Sequence, residues 1–182
     1  MQSTNQNKIS LVLILILVIF VLSQNSLTGK VFNVNKEELY YGFYAIDGFG
    51  NLYLAGNAVD KGHPKFDTDL AIDLETVKDG YYILDQYGKI YNYGEAKHYG
   101  DFLSEEKIFR DLELTSEGYY ALDGYGNIYL YGDAVFYGKP ALDDQDIFVE
   151  IEVTKTGKGY YILNKYGKVY NFGDAENYGY PL

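Results

Sequence analysis

Hydrophobic and polar positions follow two rhythms along this chain. Residues 9–22, ISLVLILILVIFVL, form one apolar run broken only by Ser10. From Val31 onward the apolar runs are short and bounded by Gly, Asp or Asn. Tyr81-Tyr82-Ile83-Leu84 and Ile90-Tyr91-Asn92-Tyr93 are largely apolar on both faces, which predicts strands covered above and below. Leu70–Glu75 (LAIDLE), Ile108–Leu114 (IFRDLEL) and Ile147–Val153 (IFVEIEV) instead alternate apolar and charged residues. That alternation predicts a strand with one wet face. Asp85-Gln86-Tyr87-Gly88 joins the first two runs, with Asp first and Gly fourth. This order suits a type I turn followed by positive φ, so the two runs read as a β-hairpin. The same offset recurs at Asp47/Gly50, Asp123/Gly126 and Asn164/Gly167.

The hairpin belongs to a repeat. GFYAIDGFGNLYLAGNAVDKG starts at Gly42, GYYILDQYGKIYNYGEAKHYG at Gly80, GYYALDGYGNIYLYGDAVFYG at Gly118 and GYYILNKYGKVYNFGDAENYG at Gly159. A period of this size marks a repeat architecture. A third short strand is expected at the segments ending at Gly100, Gly138 and Gly179, and the alternating segment supplies a fourth. Strands covered on both faces fit a β-propeller, in which each blade lies between two neighbours. The charged, alternating strand is expected outermost, and the Ala/Ile positions 45, 83, 121 and 162 on the innermost strand. Repeats one and three share Ala45/Ala121 and Leu54/Leu130, whereas two and four share Ile83/Ile162 and Asn92/Asn171, as in a duplicated two-blade unit.

The fold class expected is therefore all-β: a four-bladed β-propeller over residues 31–182. The fourth repeat ends at Leu182 with no alternating segment after it. Residues 31–38 are expected to complete that blade and close the ring, since an open ring exposes apolar blade faces. Residues 24–30 read as a linker. The apolar run at 9–22 spans about 21 Å as a helix, short of the roughly 30 Å hydrocarbon core. Residues 1–23 thus read as a secretory signal cut after Ser23, or as a short uncleaved anchor. Both place the remainder outside the cytoplasm, secreted or anchored by residues 9–22.

The third and fourth copies resemble a tandem repeat of exported bacterial and archaeal proteins. That repeat runs Gly-Tyr-aromatic, a D-x-x-G turn, an aromatic strand, then Gly-Asp-Ala-x-x-Tyr-Gly. The likeness covers Gly42–Gly179 and implies propeller blades. It brings no activity and no catalytic residues. This chain departs from it at Asn57 and Lys61, and in carrying Tyr where Trp is common. A second, lesser similarity is to cell-wall-binding hairpin repeats of the YYxLDxxG type, which are shorter and Trp-rich.

Composition narrows the chemistry. The 182 residues hold 22 Tyr, 10 Phe and no Trp, so tyrosine must build much of the core. The net charge of -11 opposes binding to nucleic acid or anionic membranes, leaving the N-terminal segment as the one expected membrane contact. Without cysteine there is no disulfide, thiol nucleophile or thiolate site. One arginine, Arg110, is too few for a sialidase-like carboxylate clamp. No serine after export sits in a nucleophile elbow. No pair of carboxylates stands out for glycoside hydrolysis.

Two sets of residues recur at one blade position. Asn57, Glu95, Asp133 and Asp174 follow the hairpin glycine, and a ring would gather them at one rim as oxygen ligands for a cation such as calcium. The competing reading is a solvated turn in which each bonds its own backbone; no cofactor is otherwise expected. Tyr99, Tyr137 and Tyr178 end the third segments, and offer rings for a sugar or a protein partner, or for packing between blades. The function expected is an exported, non-enzymatic binding module for a glycan or protein at the cell surface. A structural repeat domain of a larger surface assembly is the alternative, and a glycan-acting hydrolase the third.

Overall fold

The computed structural model of the protein describes residues 27–31, 42–141 and 147–179. Among the described residues, twelve strands form four antiparallel sheets of three strands each. The first contains β1 (Leu27–Val31), β2 (Gly42–Asp47) and β3 (Leu52–Gly56). The second contains β4 (Ala71–Val77), β5 (Gly80–Asp85) and β6 (Ile90–Gly94). The third contains β7 (Phe109–Leu114), β8 (Gly118–Asp123) and β9 (Ile128–Gly132), and the fourth β10 (Phe148–Val153), β11 (Gly159–Asn164) and β12 (Val169–Gly173). The protein is all-β with a propeller-like arrangement, and no helix among the described residues is long and apolar enough to cross a membrane.

All four hairpins form as the turn chemistry requires. In the third, Gly126 N–H donates to Asp123 C=O at 3.0 Å, and Gly126 has φ +78°. The Asp123 carboxylate accepts the N–H groups of Tyr125 and Asn127, both at 2.9 Å. A short acceptor side chain at the turn's first position thus holds the two residues that reverse the chain. Each hairpin ends on a facing pair of glycines, such as Gly118 and Gly132. A Cβ on Gly118 would lie 2.1 Å from the Tyr131 carbonyl oxygen, so the closing rung leaves no room for a side chain.

Sheets stack face to face through the middle strands. All six residues of β5 and of β8 are buried, as the two-faced apolar pattern requires. Tyr44, Ile46, Leu74, Tyr81 and Ile83 fill the space between the first two sheets. Tyr82, Leu84, Phe109, Leu112 and Tyr119 fill the second interface, and Tyr120, Leu122, Phe148, Ile151, Tyr160 and Ile162 the third.

Several expectations need correction. Among the described residues each sheet has three strands, because the segments ending at Gly100, Gly138 and Gly179 are loops; the backbone groups at Gly100 and Gly138 bond a tyrosine of the next sheet instead of a neighbouring strand. The alternating strand pairs with the hairpin that follows it, so β10 already completes the fourth sheet. That strand is also not outermost. β1 lies beside β4, β4 beside β7 and β7 beside β10, so the alternating strands form the edge along which the sheets meet. The second hairpin strands, β3 and β9 above all, face solvent at the opposite edge. Ala45, Ile83, Ala121 and Ile162 accordingly sit on middle strands and not on an innermost one.

A bulge in each alternating strand explains its place. The register shifts at Ala71/Asp73, Phe109/Asp111 and Phe148/Glu150. A bulge re-aims the side chains beside it. Asp73 then accepts the Leu112 N–H at 3.1 Å, and Asp111 accepts the Ile151 N–H at 2.8 Å, each from the next sheet.

At the N-terminal end, residues 27–30 of the expected linker are strand, and Val31 pairs with Phe43 inside the first sheet. The remainder of the expected closing strand, 32–38, lies outside the described residues, as does the apolar run at 9–22. Among the described residues, no strand of the fourth sheet lies beside a strand of the first.

Candidate functional site

The three sheet interfaces repeat one socket. In the second, the Tyr119 hydroxyl accepts the N–H groups of Tyr99 (3.1 Å) and Gly100 (2.8 Å) and donates to Gly100 C=O (2.6 Å). The Tyr99 ring stands edge-on to Tyr119 with centroids 5.4 Å apart. A Cβ on Gly100 would lie 2.6 Å from the Tyr131 ring, so glycine is needed for that ring to lie on the loop. In the first interface, Tyr81 accepts the Lys61 N–H at 3.0 Å and donates to Gly62 C=O at 2.6 Å, with Tyr93 over Gly62. In the third, Tyr160 accepts the Tyr137 N–H at 3.2 Å and donates to Gly138 C=O at 2.5 Å, with Phe172 over Gly138. Each socket is a loop from one sheet, and each plug is a tyrosine and a second aromatic ring from the next.

The equivalent segment of the fourth repeat is on the surface, with Gly179 at φ +80° where Gly62, Gly100 and Gly138 take +119°, +145° and +133°. Tyr178 is 81 % exposed, and nothing described lies within 4 Å of a Cβ on Gly179. Its ring lies over Tyr161 of its own sheet, 6.4 Å between centroids. A groove of about 360 Å³ runs across this sheet face, lined by residues that include Glu150, Glu152, Tyr161, Leu163, Glu176 and Tyr178. The same positions are closed elsewhere: Tyr82 and Tyr120 are buried where Tyr161 is half-buried, and Leu84 and Leu122 where Leu163 is half-buried.

The three candidate tyrosines therefore have two roles. Tyr99 and Tyr137 pack between sheets, and Tyr178 alone is presented to solvent. Tyr99 also donates to Glu117 at 3.1 Å; burial and that carboxylate push its hydroxyl up to about 12. Asn57, Glu95, Asp133 and Asp174 stand on four separate turns. Asp133 accepts the Thr115 hydroxyl and, at 3.1 Å, the Glu117 N–H. Asp174 accepts Thr154 at 2.8 Å and Thr156 at 2.5 Å, and those hydroxyls hold its carboxyl below the usual range. These two acids thus tie down the turn that precedes their own hairpin. Among the described residues, no three carboxylates or imidazoles gather into a cation-holding group.

A line of acids lies at the meeting edge, outside the two sets that the repeat pattern singles out. Asp73, Asp111 and Glu150 take equivalent bulge positions, with Glu75, Glu113 and Glu152 two residues on. The signal was present: LAIDLE, IFRDLEL and IFVEIEV carry an acid at two matching places. Burial pushes the Asp111 carboxyl well above the usual range, with the Asp73, Glu75 and Glu150 carboxylates adding to it and the Ile151 N–H opposing. A folded pKa above the unfolded one, about 3.9, leaves stability intact below that pH and removes it as pH rises through the folded pKa. Asp111→Asn keeps an oxygen for the Ile151 N–H and loses the charge. It is expected to match wild type in thermal stability near pH 3.5 and to exceed it at pH 7–8. Equal melting temperatures across that range would contradict the burial of a charge here.

No family model matches the chain, and no curated protein matches it.

Proposed function

We propose that this chain is an exported, non-enzymatic four-bladed propeller serving as a binding module at the cell surface. Its ligand, a protein or a glycan, is taken at the seam between the fourth and first sheets. One observation carries the reading: Tyr178 is exposed over an open groove where its counterparts Tyr99 and Tyr137 are locked against the next sheet. A ring with one free face and carboxylates beside it suits stacking on a sugar or anchoring a protein segment. Export rests on the apolar run at 9–22.

The test is binding of the full chain to an oligosaccharide array and to labelled cell-surface proteins. A saturable ligand is expected, and Tyr178→Ala is expected to remove it. Binding that survives Tyr178→Ala would contradict the placement at the seam. The same open face favours a second reading, a repeat domain packed into a larger surface assembly. A stable oligomer of the purified chain supports that reading, and a monomer supports the first.

A further inference from the structure

The open socket has three filled copies in the same molecule, and they show what fits it. In each, a tyrosine hydroxyl enters between a loop N–H and the next glycine's carbonyl, and a second ring covers that glycine. The equivalent groups of the fourth copy are Tyr178 N–H and Gly179 C=O. The first sheet does not carry the matching plug. Phe43 stands where Tyr81, Tyr119 and Tyr160 stand, and it has no hydroxyl. Ala55 stands where Tyr93, Tyr131 and Phe172 stand, and it has no ring. A first sheet seated on the fourth would leave the socket without its phenol and its cover.

We infer that the groove beside Tyr178 is a receptor for a tyrosine side chain presented on an extended segment of a partner protein. This rests on the binding-module reading and narrows it from protein or glycan to protein. The partner's phenol donates to Gly179 C=O and accepts Tyr178 N–H, as Tyr119 does with Gly100 and Tyr99. Its flanking backbone lies along Leu163 and Tyr161. Glu150, Glu152 and Glu176 line the groove, so the segment that fits carries lysine or arginine beside its tyrosine. Tyr178 leaves its own Tyr161 and turns edge-on to the incoming ring, the arrangement Tyr99 and Tyr137 already hold.

The chain's own plug supplies the probe. Residues 158–164, KGYYILN, have the lysine, the tyrosine and the extended form. Titration of the full 182-residue chain with this synthetic peptide, followed by the NMR signals of Tyr178 and Gly179, is expected to show saturable binding. A peptide with Phe in place of the first Tyr is expected to bind about fivefold more weakly, the usual worth of a net hydrogen bond of about 1 kcal/mol. Tyr178→Ala removes the edge-on ring and is expected to abolish the Gly179 shift with either peptide, and the high exposure of Tyr178 means that the fold survives the truncation. Equal affinity of the Tyr and Phe peptides, or no shift from either, overturns the tyrosine receptor. If an oligosaccharide moves the Tyr178 signal instead, the tyrosine receptor falls while the binding seam stands. If the array and the cell-surface proteins give no binding and the peptide leaves Tyr178 unmoved, both fall.

Discussion

Tyr119→Ala is expected to destabilise the fold by about 3–5 kcal/mol, the range for emptying a fully buried large side chain. Tyr119 is completely buried and lies in ring contact with Tyr82, Tyr99, Phe102 and Tyr131. It joins the second sheet to the third, so its loss opens a cavity at one interface and strips the loop at Tyr99 and Gly100 of its partner. Tyr119→Phe separates the two contributions. It keeps the ring and leaves the Tyr99 N–H, the Gly100 N–H and the Gly100 C=O without the hydroxyl. A cost of about 1–3 kcal/mol is expected, the penalty for buried polar groups left unpaired. Denaturant melts followed by circular dichroism give both numbers. If Phe matched wild type and Ala cost under 1 kcal/mol, the sheets would be held together by something other than this socket.

Asp123→Ala is expected to cost about 3 kcal/mol or more by the same measurement. The Asp123 side chain is fully buried and accepts four bonds: from the Tyr125 and Asn127 N–H groups, the Asn127 amide at 2.8 Å and the Tyr129 hydroxyl at 3.1 Å. Alanine leaves those donors facing a void, at about 1–3 kcal/mol for each that water does not reach. Asp123→Asn is expected to be far milder, about 1 kcal/mol. The fourth hairpin already uses the amide: Asn164 accepts the Tyr166 N–H at 3.0 Å and the Lys168 N–H at 2.9 Å. Asparagine as damaging as alanine would mean that the negative charge, not the acceptor geometry, holds the turn.

The hairpins were legible because their chemistry is local. Asp47, Asp85 and Asp123 bond residues two and four positions ahead, and the glycine that follows takes positive φ, so five residues suffice to specify the turn. The alternating strands were legible as strands but not in their position. Alternation says only that one side of a strand is wet. The bonds that place Asp73 and Asp111 at the meeting edge reach Leu112 and Ile151, 39 and 40 residues away. The segments ending at Gly100 and Gly138 looked like strands because aromatic residues precede the glycine. Their N–H and C=O groups are taken by one tyrosine hydroxyl, a pairing that alternation does not encode. At the candidate site, the three tyrosines were visible as a set. Which of them lies exposed depends on what packs against its sheet, and no single repeat contains that information.

Residue-resolved amide hydrogen exchange of the full chain tests the account most directly. Tyr99 and Tyr137 N–H groups are bonded to a neighbouring sheet's tyrosine hydroxyl, and Tyr178 N–H is the same position with its socket open. The account predicts strong protection at Tyr99 and Tyr137, and exchange at Tyr178 approaching that of an unstructured peptide. Protection at Tyr178 equal to that at Tyr137 would show the fourth socket already filled, and would contradict it.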